Sequence, residues 1–260
     1  MSDRPVALIT GGARRVGRAI ALELARAGLD CVLTYRSSKD EAEALAGELR
    51  GRHAARVHLA RVDMAEPDAA ADACVEAADA AGRLDVLVHN ASVYAPFPLG
   101  HQDGLDGAWP LDAEHVMRMY AVNAAAPLLI TARLADRLMA SSMPGGGAVV
   151  CMADMHVLGR PRSRFNAYSM SKAALVEMTR SLARDLAPHA RINAVAPGVI
   201  AWPEDGYESD SAGQERYMAR VPLARTGTPE DAAGLVRWLA LEATYVTGEV
   251  VRLDGGRWLA

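Results

Sequence analysis

Short runs of consecutive apolar residues alternate along the chain with longer stretches in which apolar residues recur every three or four positions. Residues 5–10, 31–35 and 84–92 are such runs, which are typical of strands buried on both faces of a parallel sheet. Residues 15–27 and 67–82 have the helical spacing instead. The alternation predicts an α/β fold: a single doubly wound parallel sheet of the Rossmann type, with helices on both faces.

The same alternation continues through the rest of the chain. Further strands are predicted at 55–63, 147–154, 192–200 and 249–256. One or two helices are predicted at 113–140, with a break near Asn123, and further helices at 166–187 and 228–242. Residues 93–112, with several prolines and glycines, and residues 199–222, which are mostly polar, have no clear period. Long aperiodic loops in a compact domain usually have a function, so we expect both near the substrate, the second as a mobile lid.

Composition narrows the classes of partner. The hydrophobic content of 51% is ample for one large core, and a formal charge of −4 with dispersed basic residues argues against nucleic acid. No apolar run is long enough to span a bilayer, and the first ten residues lack a signal-peptide pattern. Cys31, Cys74 and Cys151 form no C-x-x-C pair, and the seven histidines have no metal-ligand spacing. We expect a cytoplasmic protein with reduced thiols, no metal, and no nucleic-acid or membrane partner.

A glycine-rich turn follows the first predicted strand. Gly11, Gly12 and Gly17 permit a tight turn into the first helix, whose N-terminal N–H groups and dipole attract a phosphate. The residues after the second strand, Arg36 and Ser37, select the cofactor. A carboxylate there would bind the ribose hydroxyl of NAD, whereas an arginine forks onto a 2′-phosphate. The pattern predicts NADPH, and the alternative is an exposed loop with a solvated arginine.

Three titratable residues are predicted to meet in one cleft. Tyr168 and Lys172 are four residues apart on a predicted helix and share one face, and Asp154 ends the preceding strand. A free tyrosine has a pKa of about 10, and a nearby ammonium lowers that pKa, which favours Tyr168 as a proton donor near neutral pH. Because any helix can carry Tyr-x-x-x-Lys by chance, the interpretation depends on the nucleotide-binding pattern in the same chain.

These motifs, in order and spacing, resemble the short-chain dehydrogenase/reductase family over essentially the whole chain. The matching elements are Thr10-Gly11…Gly17, Asp63, Asn90-Ala91, Asn123, Tyr168-x-x-x-Lys172 and Pro197-Gly198. The resemblance implies that Tyr168 donates a proton and that Lys172 lowers its pKa and binds the nicotinamide ribose. It also implies that Asn123 supports a water-linked proton relay.

Two departures from the family's pattern resemble its pteridine reductase branch. Arg15 replaces the central glycine of the glycine motif, and Asp154 replaces the catalytic serine at the end of the fifth strand. A serine donates to a ketone oxygen that gains negative charge, whereas a carboxylate would repel that oxygen. A pterin offers N–H and amino donors and imine nitrogens that need a proton, which suits an aspartate. The simpler alternatives are Asp154 as a turn cap and Arg15 as a phosphate contact only.

The motifs and the resemblance together give the expected site of a single NADP-binding oxidoreductase domain over residues 1–260. The expected catalytic residues are Asp154, Tyr168, Lys172 and Asn123. The expected cofactor-binding residues are Gly11, Arg14, Arg15, Val16, Gly17, Tyr35, Arg36, Ser37, Asp63, Met64, Asn90, Ala91, Ser92, Tyr168, Lys172, Pro197, Gly198 and Val199. The expected substrate-binding residues are Arg15, Ser92, Tyr94, Asp154 and Tyr168. Tyr94 stacks on the substrate in this interpretation, and the alternative is a simple packing aromatic.

The expected function is NADPH-dependent reduction of a pteridine such as dihydrobiopterin, dihydromonapterin or a folate. A carbonyl reductase acting on a 3-oxoacyl thioester or another ketone is the alternative enzyme, and Asp154 argues against it. An NADP-binding sensor without turnover is the alternative from another class, and the intact Tyr168 and Lys172 pair argues against it. Helices 113–140 and 166–187 have apolar residues on more than one face, which, with the resemblance, predicts a homotetramer.

Overall fold

The computed structural model describes residues 4–99, 107–200, 202 and 210–260. Strands and helices alternate through them as the hydrophobic pattern predicts. The strands are β1 (Val6–Ile9), β2 (Asp30–Tyr35), β3 (Val57–Arg61), β4 (Val86–His89), β5 (Gly147–Met152), β6 (Ala190–Pro197) and β7 (Val250–Leu253). The helices are α1 (Arg15–Arg26), α2 (Lys39–His53), α3 (Pro67–Ala81), α4 (Ala113–Tyr120), α5 (Ala126–Met139), α6 (Asn166–Leu186), α7 (Ser211–Met218) and α8 (Pro229–Leu241). Two 3₁₀ turns lie at Met155–Leu158 and Arg257–Leu259.

The described strands form one parallel sheet in the order β3-β2-β1-β4-β5-β6-β7. β1, β4 and β5 are buried along their whole length, because they lie inside the sheet with helices on both faces. The predicted fold class is therefore confirmed. The strand order changes direction between β1 and β4, and ligands of such sheets bind at the carboxyl ends of the strands at that point.

Two hydrophobic cores hold the strand ends in place from opposite faces of the sheet. On one face, α1, α2 and α8 pack against the strands, with Ile20 and Val236 buried between them. On the other face, α3, α5 and α6 pack in the same way, with Leu134 and Leu175 buried. A site at the carboxyl edge of the sheet is thus supported by rigid elements on both sides.

The helical stretch predicted at 113–140 is interrupted by a π-helical turn at Ala121–Ala125. Ala126 N donates to Ala121 O, five residues back, instead of four as in an α-helix. Asn123 lies in the middle of this turn. Single π turns inside α-helices are frequent at functional sites, so the break expected near Asn123 has a defined geometry.

The polar segment 199–222 contains a helix that its aperiodic pattern did not predict. Asp210 starts α7 by accepting hydrogen bonds from Ala212 N at 3.2 Å and Gly213 N at 2.8 Å. The lack of a clear period in this segment therefore did not reveal the helix at Ser211–Met218. Of the two predicted substrate loops, residues 100–106, 201 and 203–209 lie outside the described residues.

The three cysteine thiols are free and buried, as predicted. Burial raises the pKa of Cys31, Cys74 and Cys151 to about 12 each, so they stay protonated and packed. Within the described ranges, no group of three His, Cys, Asp or Glu residues is placed to hold a metal ion. No helix in those ranges combines the length and the apolar character needed to cross a bilayer.

His89, the last residue of β4, is a buried imidazole. Its Nε2 lies 2.8 Å from Thr131 Oγ1, and that hydroxyl donates to Pro127 O, so Nε2 carries the ring proton. His89 Nδ1 is buried with no hydrogen-bond partner in the described part of the chain. Burial lowers the pKa of His89 to about 3, so the folded protein keeps this ring neutral at physiological pH.

We expect the free energy of unfolding to fall when the pH is lowered from about 7.5 to about 5. Below pH 6.5 the unfolded chain binds a proton at His89, whereas the folded chain does so only near pH 3. The stability present above pH 6.5 is therefore lost on acidification, by about 2 kcal/mol for this residue over that range. Denaturant unfolding at the two pH values measures the loss.

Two leucine variants isolate the contribution of this ring. His89→Leu should lack about 2 kcal/mol of the acid-induced loss, because no proton binds there in the unfolded state. His189→Leu removes an exposed histidine and should keep the wild-type dependence. The same pH dependence in wild type and His89→Leu would contradict the assignment.

Candidate active site

The turn between β1 and α1 depends on two glycines. Gly11 has a φ of +62°, in the left-handed region that favours glycine. A Cβ on Gly17 would lie 2.2 Å from Gly11 O and 2.7 Å from Asn90 Nδ2, so no side chain fits there without moving the turn. Helix α1 begins at Arg15 with no side chain capping it. Its first backbone N–H groups can therefore bind an anion.

Asn90 holds the end of β4 against this turn. Its Nδ2 donates to Thr10 O and to Gly11 O, both at 3.0 Å. Thr10 Oγ1 in turn accepts from Asn90 N and Ala91 N, both at 3.0 Å. The predicted Thr10-Gly11 and Asn90-Ala91 motifs are thus two halves of one hydrogen-bonded corner at the point where the sheet order changes direction.

A cleft of about 470 Å³ opens at this corner, at the carboxyl ends of β1 to β4. Most of the predicted cofactor-binding residues line it: Gly11, Arg14, Arg15, Val16, Gly17, Tyr35, Arg36, Ser37, Asp63, Met64, Asn90, Ala91 and Ser92. The sequence prediction missed some lining residues, which carry no motif: Thr34, Ser38, Val62, Val93 and Val122. The structure therefore gathers residues from distant motifs into one continuous site.

The part of the cleft beyond β2 is lined by hydrogen-bond donors. Arg36 and Ser37 follow the last residue of β2, and both are exposed. Residues 34–38 include no carboxylate. Asp63, at the neighbouring strand end, uses Oδ1 to accept from Ala65 N at 3.0 Å. This donor set fits a 2′-phosphate on an adenosine ribose and lacks the acidic partner that an unmodified ribose takes after β2.

A second cavity, of about 240 Å³, adjoins the cleft at Arg15 and Val16, which line both. Asp154 and Tyr94 line the second cavity, as do residues 197–199 at the end of β6. Pro197, Gly198 and Val199, predicted to bind the cofactor, therefore lie apart from the residues around the cleft. The nucleotide-binding motifs surround one space, and the predicted substrate residues Tyr94 and Asp154 surround the other.

Asp154 serves two partners at once. Its Oδ1 accepts from His156 N at 2.7 Å and so caps the 3₁₀ turn that follows β5. Its Oδ2 accepts from Tyr168 Oη at 3.0 Å. The two interpretations of the sequence, a turn cap and an active-site acid, are therefore compatible: the cap fixes the carboxylate in the orientation that reaches Tyr168.

Tyr168 is buried in α6, and its pKa is raised well above 10 by burial and then by the charge of Asp154. The expectation that Lys172 lowers this pKa toward neutrality is not met. Lys172 Nζ donates to Met152 O at 2.7 Å and lies 6.0 Å from the centre of the Tyr168 ring. Burial lowers the pKa of Lys172 to about 8. Tyr168 therefore keeps its proton, as a donor must, and its hydroxyl is aimed at Asp154.

Asn123 is fully engaged in hydrogen bonds. Its Oδ1 accepts from Val93 N at 2.9 Å and Ser92 Oγ at 3.0 Å, and its Nδ2 donates to Val93 O at 2.9 Å and Ser171 Oγ at 3.1 Å. The side chain joins the π turn, α6 and the segment after β4. It therefore positions Ser92 in the cleft and the neighbouring Tyr94 in the cavity.

An aromatic cluster forms one wall of the second cavity. The Tyr94 ring stacks on Phe165, with centroids 4.7 Å apart and an interplanar angle of 21°, and meets the edge of Tyr168 at 4.8 Å. The Arg162 guanidinium lies 4.4 Å from the centre of the Phe165 ring. Tyr94 remains 43% exposed. Tyr94 packs on Phe165 and also offers ring surface to the cavity, so its stacking on a substrate stays a prediction.

Several lining residues of this cavity were not predicted. Trp202 and Tyr217 meet edge to face at 5.3 Å, and Tyr217 Oη accepts from Val199 N at 3.2 Å. His156 and Arg162 come from the connection between β5 and α6. Trp202 and Tyr217 could have been found as aromatic residues in the otherwise polar segment 199–222. His156 and Arg162 lie in no sequence motif that would have indicated them.

Comparison with known proteins agrees with this arrangement. The chain matches, over residues 11–257, the short-chain dehydrogenase family model described as enoyl-(acyl carrier protein) reductase. It is 32% identical to a 3-oxoacyl-(acyl-carrier-protein) reductase of Aquifex aeolicus over 253 residues, which cover 96% of each chain. It is also 31% identical to pteridine reductase 1 of Leishmania tarentolae over 280 residues, covering 97% of this chain and 96% of that protein.

A solved structure extends the likeness. A blue fluorescent protein from a metagenomic library, in complex with NADPH, has a TM-score of 0.83 to this chain and 33% sequence identity. The match covers 97% of both chains.

Proposed function

This chain belongs to the short-chain dehydrogenase/reductase family, and we propose that within it the chain is an NADPH-dependent reductase of pteridines. Members of this family are NAD(P)-dependent oxidoreductases, and the proposal adds the class of substrate. We expect dihydropterins such as dihydrobiopterin or dihydromonapterin, and also dihydrofolate, to be reduced at the C6–N5 imine. One observation carries the proposal: the Asp154 carboxylate lines the second cavity and accepts the hydrogen bond of Tyr168.

The cofactor is NADP(H), which supplies the hydride. The likeness to a protein solved with NADPH and the donor set beyond β2 both support it. Gly11 and the first turn of α1 would hold the diphosphate, and Arg36 with Ser37 would hold the 2′-phosphate. The contact of Asp63 with the adenine is a prediction from its place at a strand end. The contact of Lys172 with the nicotinamide ribose is a prediction from the family resemblance.

Replacing Arg36 with alanine is expected to raise the KM for NADPH by at least about tenfold, the free energy of one charge-assisted contact. The KM for NADH should stay within about twofold, because NADH has no 2′-phosphate for this side chain to bind. Steady-state kinetics with both nucleotides measures the two effects. Lys39→Ala is the matched control. Lys39, the first residue of α2, is an exposed cation that pairs with Glu43 and does not line the cleft. An unchanged KM for NADPH in Arg36→Ala would refute the 2′-phosphate assignment.

The charge at position 154 favours a pterin over a ketone. A ketone oxygen gains negative charge during reduction, and the carboxylate in this cavity would repel it. A dihydropterin presents N–H and amino donors that a carboxylate accepts, and an imine nitrogen that must gain a proton. Tyr168 holds a proton because its pKa is raised well above 10, and Asp154 orients its hydroxyl. Tyr168 can therefore donate to a basic ring nitrogen, and the Asp154 carboxylate can accept from the ring's N–H and amino groups.

The shape and lining of the cavity support a flat heterocycle. Tyr94 is backed on one face by Phe165 and keeps 43% of its surface exposed. A pterin ring can stack on this aromatic surface. Arg15 lines both the cleft and the cavity, so its guanidinium can contact a cofactor phosphate and the edge of the substrate ring.

A carbonyl reductase is the second candidate function. The identity of 32% to a 3-oxoacyl-(acyl-carrier-protein) reductase favours it, and the Tyr168 and Lys172 pair would serve it equally well. The negative charge of Asp154 beside the reacting atom argues against it. The two candidates thus share a scaffold and differ in the substrate that one side chain tolerates.

One assay separates them. The purified protein is given NADPH or NADH with dihydrobiopterin, dihydromonapterin, dihydrofolate and an acetoacetyl thioester, and nucleotide oxidation is followed. We expect kcat/KM for a dihydropterin to exceed that for the thioester by at least about 100-fold, since a site built to hydrogen-bond N–H groups rejects a substrate that lacks them by this factor or more. Turnover of the thioester alone would transfer the assignment to the carbonyl reductase. If none of the four substrates causes nucleotide oxidation, both candidate functions are rejected.

The oligomeric state of the protein and its cellular compartment are two further predictions. Leu128 on α5 and Met170 on α6 are 43% and 56% exposed, and large apolar side chains at the surface of those helices support burial against further copies of the chain. We expect a homotetramer in the cytoplasm, which sedimentation of the purified protein and fractionation of cells would test.

A further inference from the structure

The imidazole of His156 lines the second cavity two residues beyond Asp154. Its Nδ1 lies 3.0 Å from Arg160 O. A carbonyl oxygen only accepts hydrogen bonds, so Nδ1 carries the ring proton, and Nε2 of the neutral ring presents a lone pair. Among the described residues, no hydrogen bond engages Nε2. The ring therefore offers an acceptor beside the carboxylate that defines the site.

The ring is neutral at physiological pH. Burial lowers the pKa of His156 below 6.5, and the charges of Arg162 and Arg257 act in the same direction. The charge of Asp154 and the backbone of Arg160 act in the opposite direction but do not outweigh them. His156 accordingly acts as an acceptor and adds no positive charge to the cavity.

The surrounding backbone fixes the position of this acceptor. His156 N donates to Asp154 Oδ1 at 2.7 Å, and His156 O accepts from Arg160 N at 3.2 Å. The Arg160 guanidinium donates to the backbone oxygens of Arg257 and Ala260, which ties this loop to the last 3₁₀ turn. A group held in place before binding loses little entropy when it binds, so its hydrogen bond contributes more to affinity.

The other side chains of the cavity complement this acceptor. Arg15, Arg162 and Trp202 carry hydrogen-bond donors only. Asp154, as a carboxylate, and His156 Nε2 carry acceptors, and they lie two residues apart on one 3₁₀ turn. A ligand that satisfies both sets carries hydrogen-bond acceptors as well as N–H donors. Simple ketones have no N–H donor.

We propose that His156 Nε2 is a specificity-determining acceptor that binds a ring N–H or amino group of the substrate. The cavity then selects nitrogen heterocycles with donor groups over ketones. The inference rests on the proposed function, because it places the reacting ring in this cavity. It adds a residue that neither the motifs nor the family resemblance identified.

Two variants of His156 test this proposal. Neither removes the hydrogen bond by which Asp154 caps the 3₁₀ turn, since that bond uses the backbone N–H of His156. His156→Phe keeps a flat ring and removes the lone pair, and His156→Gln returns an acceptor. With bound NADP, quenching of tryptophan fluorescence measures the Kd for dihydrobiopterin, because Trp202 lines the cavity. Steady-state kinetics with dihydrobiopterin and with diacetyl, which has no N–H group, gives KM and kcat.

His156→Phe should raise the Kd and the KM for dihydrobiopterin about tenfold, the loss of one hydrogen bond in a buried site. The kcat for dihydrobiopterin should change by less than about threefold, and any turnover of diacetyl should not change. The His156→Gln protein should stay within about threefold of the wild-type Kd.

The outcomes separate the two proposals. An unchanged Kd in His156→Phe overturns the role of His156 and leaves the pteridine reductase standing. Binding that depends on His156, without reduction in any variant, upholds the inference and overturns the proposed function. A wild-type protein that does not bind dihydrobiopterin overturns both.

Discussion

Replacing Asp154 with serine is expected to lower kcat for dihydropterin reduction by at least about 100-fold, within the range of general acid–base catalysis. The variant loses the acceptor that holds Tyr168 Oη at 3.0 Å and the charge that matches the donors of the pterin. The KM for NADPH should stay within about twofold, because Asp154 lines the second cavity and not the nucleotide cleft. The ratio of ketone to pterin turnover should rise, since the repulsion of a ketone oxygen is removed. Steady-state kinetics with both substrates measures all three quantities.

The cap and the chemistry of Asp154 can be separated. Serine is also a good N-cap, so Asp154→Ser should keep the thermal stability of the wild type while losing pterin turnover. Asp112→Ser is the matched control: Asp112 caps α4 by accepting from His115 N at 2.9 Å and lines neither cavity. That variant should keep full activity. If Asp154→Ser keeps wild-type pterin turnover, Asp154 is only a turn cap, and the role assigned to its carboxylate in the reaction is wrong.

The fold was predictable because its sequence pattern is strong and redundant. Each buried strand, such as β1 or β5, is a continuous apolar run, and each helix between strands has a distinct period. The glycine turn was predictable for a steric reason, since Gly17 leaves no room for a Cβ. These constraints are local or nearly so, and a sequence shows them directly.

The site was predictable only as far as its motifs reach. Asp154 and Tyr168 were named from the sequence. That one carboxylate caps a turn and also accepts from Tyr168 depends on the packing of the 3₁₀ turn after β5 against α6. The pKa of Tyr168 was predicted in the wrong direction, because the charge of Lys172 was weighed and burial was not. Desolvation is a property of the whole fold, and no spacing of residues in a sequence shows it.

Other features had a weak sequence pattern or none. The sequence indicated a break near Asn123 but not its π-helical geometry, and the hydrogen bonds of Asn123 to Val93 join segments 30 residues apart. His156 is a single histidine in a connecting loop, where a surface role is the usual one. Its importance follows from Arg160 O, which fixes the tautomer, and from the cavity that it lines.

Replacing Tyr168 with phenylalanine is expected to lower kcat by a factor of about 10² to 10⁴ for dihydropterins and for any ketone that the protein reduces. The variant keeps the ring that packs against Tyr94 and Phe165 and removes only the hydroxyl that holds the proton. The Kd for NADPH should change far less than kcat, because Tyr168 was expected to contact the cofactor but does not line the nucleotide cleft. Tyr120→Phe, at a partly buried tyrosine outside both cavities, is the matched control and should keep wild-type kinetics.

The double variant Tyr168→Phe/Asp154→Ser shows whether the two side chains act as a unit. Groups that deliver one proton together are strongly non-additive, so the double variant should be about as slow with dihydropterin as Tyr168→Phe alone. Additive losses would mean that Asp154 acts on the substrate without Tyr168, for example by binding the amino group only. With a ketone the same cycle should show a loss from Tyr168→Phe and none from Asp154→Ser, because only the pterin reaction uses the carboxylate. A proton donor shared by both reactions and an acceptor needed by one would thus be distinguished within a single set of four proteins.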